Sequence, residues 1–202
     1  MNRFIALIAG MLLVTLAAGC GRGIVTDPIN TDYASDDIEA ELEFWSGMEG
    51  RPRLSNNEGL HGLFVMADGE DKAKNFEERV LTAKERGWLD SDWSEPEAMS
   101  MQRGTMARAI VVICQIKGGV WLQLLGPTKR YATRELVDME IMSEGTTENL
   151  SITGLEYVSV ISRARDYINT QAMKNQPPQA PAAAEQQDVP AEPAPEPMQN
   201  GV

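Results

Sequence analysis

Between residues 36 and 170, apolar residues return every three or four positions, the period of helices that turn one face to a core. Ser35, Asp36 and Asp37 supply a start signal, and Ile38, Leu42 and Trp45 follow on one stripe. Ser55 and Glu58 have the Ser-x-x-Glu spacing of a capping box, in which each side chain satisfies a free amide of the first turn. Leu60, Leu63, Phe64 and Ala67 continue that helix, and Gly69 stops it. Phe76, Val80 and Ala83 predict a third helix, closed by Gly87. Met106, Ile110, Ile113 and Cys114 predict a fourth, stopped by Gly118-Gly119. Arg130 to Met142 forms another, and a second capping box, Thr153 with Glu156, leads into Val158, Ile161, Arg165 and Ile168. The run Val120 to Leu125 suits a buried strand and a short buried helix equally, with Trp121 placed in the core. The pattern predicts an all-α domain of about six helices over residues 35–174.

Three segments open a helix after a loop: Leu54-Ser55-Asn56-Asn57-Glu58, Met101-Gln102-Arg103-Gly104-Thr105 and Ile152-Thr153-Gly154-Leu155-Glu156. They start 47 and 51 residues apart. Each begins with an apolar residue able to act as a hydrophobic staple, followed by a polar residue at the cap. A helix and a loop precede each one, so the order helix, loop, capped helix occurs three times, over about residues 36–68, 72–117 and 128–170. This organisation resembles the S-layer homology (SLH) module, a helix-loop-helix unit usually found in threes with Ile-Thr-Arg-Ala-Glu before its second helix. The third segment keeps Ile152, Thr153 and Glu156 but has Gly154 at the arginine position; the second keeps Arg103 without the Thr and Glu. Ala83-Lys84-Glu85-Arg86-Gly87-Trp88-Leu89 is similar to the end of the module's first helix and its glycine turn, whereas the Gly-Tyr-x-Asp-Gly-x-Phe loop is missing. The resemblance implies that Arg103 stands at the arginine position of that family's ligand groove.

The chain ends have a different character. Asn2-Arg3 gives a short positive start, and Phe4 to Ala18 is an apolar stretch of signal-peptide length. It runs into Leu16-Ala17-Ala18-Gly19-Cys20, which resembles the lipobox of bacterial lipoproteins. That resemblance implies removal of residues 1–19 and lipidation of Cys20. Gly21 occupies the place where an aspartate would signal inner-membrane retention, so the expected address is the outer membrane. Residues 20–34 read as a lipidated tether with few apolar side chains. Residues 175–202, with seven of the eleven prolines and no aromatic residue, read as a disordered tail.

Charge and chemistry narrow the function classes. A formal net charge of −12 argues against a nucleic-acid partner and against electrostatic docking on anionic lipid, so attachment falls to the lipid on Cys20. Cys114, in an apolar run, is expected to be a buried thiol. His61, the single histidine, suits either a general base or a hydrogen-bonded residue at a surface or core margin. Asp90-Ser91-Asp92-Trp93-Ser94-Glu95 has the alternating start of a calcium loop, but Met101 stands where the bidentate glutamate belongs. No catalytic constellation, metal site or cofactor is expected. Trp88, Trp93 and Arg103 remain as candidate ligand-binding residues, since aromatic faces stack on sugars and a guanidinium clamps an acidic group. The alternative places both tryptophans against the core and pairs Arg103 with a local acid. The expected function is a non-enzymatic envelope lipoprotein that binds a wall polymer or envelope protein. Two alternatives stay open: a carboxylate-based envelope hydrolase, and an assembly subunit without a small-molecule site.

Overall fold

The computed structural model describes residues 22–34 and 36–175. Residues 1–21, which include the stretch read as a signal peptide and Cys20, together with Ser35 and the proline-rich residues 176–202, lie outside the described residues. Seven helices and no strands occupy the described part: α1 (Ile38–Met48), α2 (Asn56–Asp68), α3 (Phe76–Glu85), α4 (Arg103–Ile113), α5 (Val120–Leu125), α6 (Lys129–Asp138) and α7 (Gly154–Asn175). The domain is all-α, and α5 resolves the ambiguous run as a helix.

Local chemistry explains the helix starts. Asp37 caps α1 by accepting from the Ala40 amide. Ser55 and Glu58 make both halves of their capping box at α2. Asn75 caps α3, and Thr128 caps α6. At α7 only half of the predicted box is used: Thr153 Oγ1 accepts from the Glu156 amide, while the Glu156 carboxylate is taken by Arg103. The helix ends follow the same logic. Backbone amides of Gly87, Trp88 and Leu89 close α3 on Lys84 and Ala83, and those of Glu140, Ile141 and Met142 close α6 on Val137 and Leu136 in the same pattern. Gly87 has φ 74°, and Glu140 takes the matching left-handed position at φ 60°. A side chain there costs on the order of 1 kcal/mol. Glu140→Gly is therefore expected to stabilise the domain by about 0.5–1 kcal/mol, raising Tm by a few degrees in a calorimetric scan.

The three staple residues meet at one point. The Leu54 amide donates to the Ile152 carbonyl, Met101 donates to Leu54, and Ile152 donates to Met101, at 3.3, 2.8 and 3.1 Å. This closed triangle of backbone bonds is fully buried and defines a pseudo-threefold axis. One residue pair further out, Asn56 donates to Met99 and Arg103 to Leu150, repeating the same relation. The helices α2, α4 and α7 start at this triangle, and α2 packs on both of the others. Each of the other long helices leans on one of these three: α3 on α2, α6 on α4, and α1 on α7. Because α1 has no repeat before it, its place against α7 closes the ring. Leu60, Leu63, Met106, Ile110 and Tyr157 fill the space between, all at 0% exposure.

Three expectations change. On α1, Ile38 and Leu42 face solvent and the core takes Phe44 and Met48, because packing against α7 sets the buried face rather than the stripe on the outer side. Trp121 is 62% exposed, since α5 lies between the second and third repeats, and it turns only Leu122 inward. Residues 22–33 are not a free tether. Ile24 bridges to Met99, the Val25 amide donates to Ala98, Ser100 donates to Gly23, and the Ile29 amide donates to Glu58 Oε1. Thr31 is buried. This segment is held by backbone hydrogen bonds more than by apolar burial, which hydropathy does not register.

Candidate functional site

Two polar assemblies stand out from the apolar framework. The first is an interior network centred on α2. The Arg79 guanidinium, 1% exposed, donates from Nε to Asp71 Oδ2 at 2.6 Å and from Nη1 to Asn57 Oδ1 at 2.6 Å. Its Nη2 donates to the Thr31 carbonyl at 2.9 Å. His61 Nδ1 donates to the same Asp71 oxygen at 2.8 Å. Its Nε2 lies 2.6 Å from the Tyr33 hydroxyl, which donates to Glu41 at 2.8 Å. Burial pushes the Asp71 carboxyl up, but hydrogen bonds from His61 and Arg79, with the Arg79 charge, hold it below the usual carboxylate range. Burial and the Glu41 carboxylate push the Tyr33 hydroxyl well above its ordinary value. Asp71, His61, Tyr33 and Glu41 thus form one continuous hydrogen-bonded chain. A cleft of about 310 Å³ beside it is lined by Asp71, Asp68, Lys72 and Arg86, but neither His61 nor Tyr33 lines that cleft. The network's direct effect is structural: it ties the N-terminal segment, α1, α2 and α3 together.

The second assembly lies beside the staple triangle. Residues immediately before the staples, Arg53, Ser100 and Ser151, are equivalent by the repeat, and the two serine hydroxyls are 2.7 Å apart. Arg22 donates to the Ser100 carbonyl and pairs with Glu95 at 2.5 Å. Arg22, Arg53, Arg103, Asn149 and Ser151 line a cleft of about 310 Å³ where the N-terminal segment and all three repeats meet. Arg103 forms a bidentate pair with Glu156 at 2.7 and 2.6 Å, both side chains being mostly shielded. Arg53 has no carboxylate partner among the described residues. Burial pushes the Glu95 carboxyl up, but the hydrogen bond and charge of Arg22, with the charge of Lys129, hold it below the usual carboxylate range. Among the side chains just named, Arg22, Arg53, Arg103 and Lys129 stand against the two carboxylates of Glu95 and Glu156.

The candidate residues from the sequence part company here. Arg103 lines the cleft. Trp88 is 4% exposed and packs on Phe64 with Arg86 over both rings, and Trp93 is 6% exposed beside Phe76. Neither tryptophan presents a face to a ligand in this conformation. Cys20 lies outside the described residues. Cys114 is buried, which pushes its thiol up to about 11. Asp90 pairs with Arg108, and Met101 packs at the ring centre, so the acidic loop is drawn away from calcium geometry. No group of three or more His, Cys, Asp or Glu side chains among the described residues is placed to hold a metal ion. Arg22 and Arg53 were missed from the sequence. Arg53 carried one signal, its place directly before the first staple, whereas Arg22 carried none. No described helix is long and apolar enough to cross a membrane. No family model matches the chain, and neither a curated protein nor a solved structure does.

Proposed function

We propose that the chain is a lipid-anchored, non-enzymatic binding module of the bacterial cell envelope, most consistent with the outer membrane, whose inter-repeat cleft takes an acidic wall polymer. The observation that carries this reading is the cluster of Arg22, Arg53 and Arg103 around one cleft on a chain of net charge −12. Guanidinium groups in a concave setting recognise carboxylate or phosphate by paired hydrogen bonds. Asn149 and Ser151 add neutral polar groups of the kind that bind sugar hydroxyls. The lipobox-like run ending at Cys20 supports the address, and the threefold ring of capped helices supports the resemblance to SLH modules. The test is sedimentation of the full chain with the producing cell's wall fraction, beside Arg53→Ala. Arg53 is exposed and unpaired, so its loss leaves the ring intact. Removing one charged contact is expected to weaken saturable binding about ten-fold, equivalent to about 1.4 kcal/mol. Absence of saturable binding by the unaltered chain contradicts the polymer reading.

A further inference from the structure

The least expected feature of the fold is α5. Val120, Trp121, Leu124 and Leu125 are 77, 62, 71 and 50% exposed, on one face of a helix whose opposite side buries Leu122. Gly118 and Gly126, at φ 57° and 76°, bend the chain sharply at its two ends. Lys117 and Arg130, both exposed, flank it in sequence. An apolar face with a tryptophan and bordering cations is the composition of a helix lying in a membrane interface.

The other half of the observation is where α5 sits. Lys129, three residues beyond Gly126, has its Nζ 3.7 Å from Glu95 Oε1. The other oxygen of that carboxylate holds Arg22 at 2.5 Å. Glu95 therefore ties Arg22 to the start of α6, the helix that follows α5, and Cys20 precedes Arg22 by two residues, a reach of about 7 Å. Residues 22–33 are bound to the domain along their length, so they provide no slack.

We infer that α5 is a membrane foot: its Val120-Trp121-Leu124-Leu125 face inserts into the bilayer interface beside the lipid on Cys20 and fixes the orientation of the domain on the membrane. This inference rests on Cys20 being the lipid anchor. Two or three acyl chains on one cysteine hold the chain at the membrane but leave the domain free to swivel, and a second apolar contact alongside makes the attachment a two-point one. The occupant is the bilayer itself. The insertion is apolar, so it needs no anionic headgroup and is compatible with the negative charge of the chain.

The test uses the lipidated chain purified from membranes and reconstituted into phosphatidylcholine vesicles with brominated acyl chains, which quench tryptophan at bilayer depth. Trp121 emission is expected to be quenched relative to plain vesicles, and Trp121→Phe is expected to abolish that difference. Leu124→Glu, on the exposed face, is expected to keep the native circular-dichroism spectrum. It should lower the inserted population about ten-fold, the factor set by transfer of one leucine side chain. A chain that floats with the vesicles but shows the same emission in both kinds overturns the foot and leaves the anchor standing. Shielding of Trp121 from acrylamide without quenching by brominated lipid assigns the face to a protein contact and also overturns it. A chain that does not float removes the anchor, and the foot with it.

Discussion

Replacing Arg79 with methionine is expected to lower folding stability by about 3–5 kcal/mol in urea denaturation at neutral pH. A domain of this size is held by only about 5–15 kcal/mol, so the variant stands close to its threshold. Methionine matches much of the volume of the arginine stem, so the loss reports the guanidinium rather than a cavity. The guanidinium is 1% exposed and bonds Asp71, Asn57 and the Thr31 carbonyl. Without it, Asp71 is left as a buried carboxylate answered by His61 and the Ala73 amide alone. The Arg79→Met/Asp71→Asn double variant is expected to lose less than the sum of the single losses, because the orphaned charge disappears with its partner. Acid dependence follows from the same group. Asp71 has a lower pKa in the folded chain than its unfolded value of about 3.9. The folded state thus binds fewer protons, and the carboxylate's contribution is full above about pH 4. It is lost as pH falls through the lower folded value, and Arg79→Met is expected to flatten that acid limb.

The second large effect concerns ring closure. Gly154→Ala is expected to destabilise the domain by about 3 kcal/mol, read from the shift in urea midpoint. Gly154 opens α7 against the end of α1, and its amide donates to the Arg51 carbonyl at 2.9 Å. A Cβ at this position would overlap the Met48 carbonyl oxygen and carbon, which are backbone and cannot swing aside. The substitution must push α1 away from α7, the contact that joins the first repeat to the last.

Capping chemistry made much of the fold readable in advance. Ser55 with Glu58, the glycine turn at Gly87 and the staples Leu54, Met101 and Ile152 announce themselves through residue type and spacing. Repetition of that spacing pointed to three units, and the backbone triangle is where they meet. What was not readable depends on tertiary context. Ile38 and Leu42 have helical spacing as good as that of Phe44 and Met48, and only contact with α7 decides which pair is buried. Trp121 looked like core because an apolar run carries no sign of whether a neighbour covers it. Residues 22–33 have little hydrophobicity, yet backbone pairing and the Arg79 network hold them in place. At the cleft, Arg103 could be singled out from its position at a helix start. Arg22 joins it across a sequence separation of eighty-one residues, which a local pattern cannot encode.

Three helix pairs form one closed ring rather than a linear stack. Native-state hydrogen exchange at the amides of Leu54, Met101 and Ile152, in the unaltered chain and in Gly154→Ala, tests it most directly. A closed ring predicts that all three amides exchange only through global unfolding and lose protection by the same factor in the variant. Loss confined to Leu54 and Ile152, with Met101 and α4 still fully protected, would contradict it and leave the repeats as separable units.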